Sequence, residues 1–164
     1  MKKLVLLVFL ALPVYARAQS ETVKKWHDKY KDAFVMFFYN STLNMLNMQN
    51  SEEFAELVKD INKMKLLRID KRGDNFTNEN YKEMLADYRN ESFEELMTMK
   101  SGPANINAFI KENDGVTKGI VLLISDESNV TIVDLKGSVP LNKISNFAQQ
   151  IGSLEENGFD FNID

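Results

Sequence analysis

The sequence predicts an α+β domain: a single mixed, mostly antiparallel sheet with helices packed on one face. Three observations lead there. Apolar residues recur at helical spacing in several segments before residue 90 and again after residue 140. From Phe93 onward the pattern changes to short apolar runs divided by turn residues, which is how strands read. The chain is 164 residues long and 44% hydrophobic, with 20 Lys or Arg against 24 Asp or Glu, the size and balance of one globular domain.

The first 18 residues stand apart from that fold. Lys2 and Lys3 form a basic start, residues 4–12 an apolar run of nine, and Pro13 breaks it. Ala16-Arg17-Ala18 then supplies the small-x-small pattern at which signal peptides are cut, placing cleavage between Ala18 and Gln19. The run is far short of the ~20 residues that span a bilayer, so an export signal is expected and an integral membrane protein is not. The residues removed include Lys2, Lys3 and Arg17 and no acid, so the net charge moves from -4 to -7. Residues 19–152 are expected to form the single domain and 153–164 an acidic C-terminal tail.

Within the domain, Val23, Trp26, His27, Tyr30 and Phe34 predict an amphipathic helix over 21–32. Residues 34–39 form an apolar, aromatic run that reads as a buried strand, although periodicity alone also fits a continuing helix. Asn40-Ser41-Thr42 is a cap signal for about two helical turns carrying Leu43, Met45, Leu46 and Met48. Ser51 caps the next helix, with Glu52 and Glu53 in its first turn, where the helix dipole favours acids. Residues 63–70 alternate as a strand, stopped by Lys71-Arg72-Gly73-Asp74. Thr77 caps a helix within 75–88, whose apolar face carries Tyr81, Met84, Leu85 and Tyr88.

Four strands follow, at 93–99, 106–111, 119–125 and 130–136. Ser101-Gly102-Pro103 turns between the first two, and Asn113-Asp114-Gly115 is a hairpin signal between the next two. The run Ile120-Val121-Leu122-Leu123-Ile124 is apolar on both faces and marks a central strand. Pro140 opens a last amphipathic helix with Leu141, Ile144, Phe147, Ala148 and Ile151. In the tail, Phe159, Phe161 and Ile163 alternate with Asp160, Asn162 and Asp164.

This order of elements carries a resemblance. Residues 81–88, Ser92-Phe93-Glu94-Glu95-Leu96-Met97, residues 106–112, residues 119–125 and the strand ending Leu135-Lys136-Gly137 together resemble a family of exported bacterial proteins. That family is known as domain of unknown function 4252 (DUF4252). The likeness spans roughly residues 25–150 and rests on element order, with no single distinctive motif. It implies an envelope-associated, non-catalytic role and supplies no catalytic residues. Many members of the family look like lipoproteins; this chain has no cysteine at the cleavage site and departs from them there.

The chemistry is narrowed mainly by what is missing. With no Cys there is no disulfide framework, thiolate metal site or Cys nucleophile. Export without cysteine points to the periplasm or the bacterial exterior, since eukaryotic secreted domains are more often cross-linked. The four N-x-S/T sequons, at Asn40, Asn75, Asn90 and Asn129, are then incidental. The acidic balance argues against nucleic acid as a partner, and Lys71-Arg72 is too short a basic patch to offset it.

His27, the single imidazole, reads as a helix-face residue beside Trp26 and Tyr30. Glu52-Glu53, Glu94-Glu95 and Glu155-Glu156 are adjacent pairs whose side chains point apart. Neither Asp160-x-Asn162-x-Asp164 nor the Asp70 to Asp74 turn has the Gly and Glu of a calcium loop. No catalytic, cofactor-binding or metal residue is therefore assigned, and no cofactor is expected. The expected role is an interaction or sensing module with an envelope protein as partner. The alternative is a carboxylate-dependent envelope hydrolase, which would need two acids from distant segments facing one cleft. Oligomeric state and strand order are not legible at this level.

Overall fold

The computed structural model describes residues 20–45, 47 and 51–138, apart from the side chains of Leu57 and Ser101. Its elements run α1 (Glu21–Lys29), β1 (Phe34–Tyr39), α2 (Asn40–Met45), α3 (Glu52–Val58), β2 (Ile61–Asp70), α4 (Asn78–Asn90), β3 (Glu94–Ser101), β4 (Ala104–Asn113), β5 (Val116–Ser125) and β6 (Asn129–Gly137). The segments expected to form an export signal, a last helix and an acidic tail fall outside the described residues. Among the described residues, no helix is long and apolar enough to cross a membrane.

The strands form one sheet in the order β1-β2-β6-β5-β4-β3, and every pairing is antiparallel. The α+β class and its antiparallel sheet hold. The segment 34–39 is a strand, paired along its whole length with β2. Local chemistry sets the boundaries where expected. Ser51 accepts the Phe54 amide at the start of α3. Thr77 and Asn80 form a reciprocal capping box at α4. Asp114 and Gly115 both have positive φ, at 52° and 73°, as the two-residue turn between β4 and β5 requires.

The helices, expected on one face, divide between two. α1 and α4 contribute Val23, Trp26, Met84 and Tyr88 to a core with Leu67, Phe109, Val121 and Ile132. α2 and α3 contribute Leu43, Phe54 and Val58 to a second core with Met64, Ala108, Leu122 and Val133. The reason lies in β5 and β6, the two central strands. Val121 and Leu123 point one way, Ile120 and Leu122 the other, and all four are at most 1% exposed. A strand that is apolar on both sides needs cover on both.

The β4–β5 hairpin also carries a bulge. Asn113 pairs with Val116 and Glu112 with Thr117, but Lys111 pairs with Gly119, leaving Lys118 as the extra residue. The slip sets Gly119 between Lys111 on one side and Lys136 of β6 on the other.

Candidate functional site

The bulged end of the sheet, the start of α1 and the end of α4 enclose a cleft of about 270 Å³. Ser20, Glu91, Phe93, Lys111, Gly119 and Asp134 are among its walls, with Lys118 and Lys136 at its cationic side.

Ser20 is the N-cap of α1, and its Oγ accepts the Val23 amide at 3.1 Å. The same hydroxyl donates to Asp134 Oδ2 at 2.6 Å, and the Ser20 backbone N–H donates to that oxygen at 3.1 Å. Glu91, just past α4, turns both oxygens to the next two amides: Oε1 accepts Glu21 N–H at 3.0 Å and Oε2 accepts Thr22 N–H at 2.9 Å. A helix start leaves its first amides without intrahelical partners and carries partial positive charge. Two carboxylates and one hydroxyl satisfy the amides from Ser20 to Val23 in this protein. That is why residues from three distant segments meet here.

Asp134 is only 2% exposed. Burial pushes its carboxyl above the ordinary range, and the bonds from Ser20 pull the other way with smaller effect. Tyr88 lies behind the cleft, fully buried, its ring stacked on Phe109 and edge-on to Phe93. Burial raises its hydroxyl well above the usual phenol range, the Asp134 charge adding to the effect. The hydroxyl has no hydrogen-bond partner among the described residues.

The cations are held differently. Lys111 Nζ donates to the Glu91 carbonyl at 2.8 Å, stands 3.8 Å from Glu91 Oε1, and lies over the Phe93 ring. Lys118 and Lys136 make no ion pair among the described residues. Gly119 lies between the flanking strands with no side chain. A Cβ there would come 3.2 Å from the Leu135 carbonyl oxygen and 3.9 Å from the Phe93 ring, so the close approach of β6 itself favours glycine.

The residues weighed from the sequence sit elsewhere. His27 is half-buried on α1, its imidazole pKa lowered first by burial and then by Lys65. Glu52 and Glu53 lie in the first turn of α3. Glu95 accepts from Arg89, Thr98 and Asn107, and those bonds, Arg89 foremost, lower its pKa. Asn107 also accepts from the Tyr81 hydroxyl at 2.7 Å, so the network ties α4 to β3 and β4. The Asp70 carboxylate accepts the amides of Arg72 and Gly73, closing its own turn. Among the described residues there is no group of three or more His, Cys, Asp or Glu able to hold a metal ion. Glu155, Glu156, Asp160, Asn162 and Asp164 fall outside the described residues.

None of the cleft residues stands out in the sequence as a site. Glu91 and Asp134 do come from distant segments and line one cavity, the arrangement a carboxylate hydrolase would need.

A family model described as Domain of unknown function (DUF4252) matches residues 27–147. No curated protein and no solved structure matches the chain.

Proposed function

The chain belongs to the DUF4252 family, and from that premise we propose that it is an exported bacterial envelope protein that binds a partner or ligand at the α1 cleft and catalyses no reaction. One observation carries the binding part. Of the acids that line the cleft, Asp134 is committed to Ser20 and Glu91 to the first amides of α1, while Lys118 and Lys136 make no ion pair among the described residues. A general acid and a general base need free access to substrate. The export part is supported by Lys2-Lys3, the apolar run and Ala16-Arg17-Ala18, and by the N-cap at Ser20, two residues beyond the cleavage pattern.

Intact-mass analysis of the protein from its native host tests export. The expected product begins at Gln19, as the free amine or the cyclised pyroglutamyl form; a full-length cytoplasmic product overturns the reading. The shared cavity of Glu91 and Asp134 favours the second reading, an envelope hydrolase with Asp134, its pKa raised by burial, as acid and Glu91 as base. Incubation with purified envelope glycan decides between them. The binding reading expects no released fragments. Fragments whose release disappears in Glu91→Gln, with the fold retained, would establish the hydrolase.

A further inference from the structure

We propose that the cleft over Gly119 binds a phosphate group, with Lys118 and Lys136 as its principal cations and Lys111 beside them. The inference deepens the binding reading and rests on it. Register supplies the first argument: Lys111, Gly119 and Lys136 are directly paired across three neighbouring strands, and Lys63 of β2 continues the row. Residues 111, 119 and 136 share a face, because 109, 121 and 134 two positions away share it too. Adjacent strands lie about 4.8 Å apart, so the two lysine stems stand roughly 10 Å apart with only a glycine between them. Long ammonium side chains can close on one anion across that gap.

Charge bookkeeping supplies the second argument. The chain is acidic overall, yet this end of the sheet gathers four lysines in two adjoining rows, at positions 63, 65, 111 and 136, with Lys118 on the bulge. Three acids line the cleft, Glu21, Glu91 and Asp134, and none of them is free. Glu91 faces the α1 amides and Lys111, and Asp134 faces Ser20 from the buried end. Lys118 and Lys136 remain as cations with no ion pair among the described residues, beside an open cavity. A carboxylate would need one or two of these donors, whereas a phosphate has enough acceptor oxygens for all three. The cavity volume suits a phosphate with a few further atoms, whether a free phosphate ester or the headgroup of an anionic lipid.

The test titrates the isotopically labelled full chain with inorganic phosphate at constant ionic strength. Saturable shifts are expected at the amides of Lys118, Gly119 and Lys136. The double variant Lys118→Gln/Lys136→Gln is expected to melt with the parent, since neither makes an ion pair among the described residues, and to bind phosphate at least about tenfold more weakly. Lys100→Gln, on exposed β3, is expected to bind as the parent does. Sedimentation with phosphatidylglycerol and phosphatidylcholine vesicles separates the sources. Retention by the first alone, competed by phosphate, assigns the headgroup; phosphate saturation without retention assigns a soluble ester. No saturation up to about 50 mM phosphate, or equal binding by the double variant, overturns the proposal. The binding reading fails by a different result, Glu91-dependent release of glycan fragments, so the two failures are distinguishable.

Discussion

Asp134 places a carboxylate where the fold has least water to offer it. Because burial raises its folded pKa, the linked stability is fully present below the ordinary carboxyl range and is lost as pH rises through the raised value. Asp134→Asn removes that dependence and keeps an oxygen for Ser20. The melting temperature of the variant relative to the parent should therefore improve between about pH 3.5 and pH 7. Asp70, Glu79, Glu83 and Glu95 have lowered pKa values and lose stability as pH falls, but they are common to both proteins and cancel. A difference that does not change with pH would show that burial leaves the Asp134 pKa where it is in the unfolded chain. Ser20→Ala removes a cap and one of Asp134's two donors, and should cost about 1–3 kcal/mol in urea denaturation. None of this was legible in the sequence. Positions 20, 91, 111, 119 and 134 share no motif, and tertiary structure alone gathers them. The Asp114-Gly115 turn does predict a β4–β5 register, but a plain hairpin from it would set Lys118, not Gly119, opposite Lys111. The bulge makes the glycine gap, and nothing in the alternation announces it.

Elements were read more easily, because their signals are local. Ser51, Thr77 and Asp114-Gly115 each act through residues no more than four positions away. What the sequence could not supply was the partner of each strand and the face each helix covers, since both depend on contacts far along the chain. The central position of β5 was readable from its unbroken apolar run, and Leu122 is fully buried there. Leu122→Asp should cost several kcal/mol, on the order of 4 or more, because it buries an unpaired charge. A variant that melts within a few degrees of the parent would remove Leu122 from the core. Gly137 makes a similar case at the end of β6. Its φ is +132°, and an added Cβ would run into the Asp60 carbonyl oxygen. Gly137→Ala should destabilise by roughly 2–3 kcal/mol in the same assay, mainly by breaking the junction with the start of β2.

At the scale of the whole molecule, the sheet is complete only when residues 61–70 meet residues 129–137 along β2 and β6. Loop closure over that separation precedes the contacts that reward it, so refolding is expected in the millisecond-to-second range. Trp26, the single tryptophan, is fully buried and donates to Asp87, which makes its fluorescence the natural probe in stopped flow. Refolding in microseconds would mean that the β2–β6 seam does not limit the rate. The seam also leaves the sheet with two unlike outer strands. β3 carries Glu94, Glu95, Lys100 and a bulge near Met97. β1 carries no charge, and Phe37 and Tyr39 are 41% and 56% exposed on one face, with Lys63 over both rings. For anyone concentrating this protein, the two rims then behave as different colloids. Charge and irregular pleating guard the β3 rim even where it exposes Leu96 and Met99, whereas the uncharged β1 rim is a template on which a second copy could stack. Turbidity in concentrated samples should fall when Phe37 is replaced by Glu, which would place an acid beside Lys63 and Lys65 and turn the sticky rim into a guarded one.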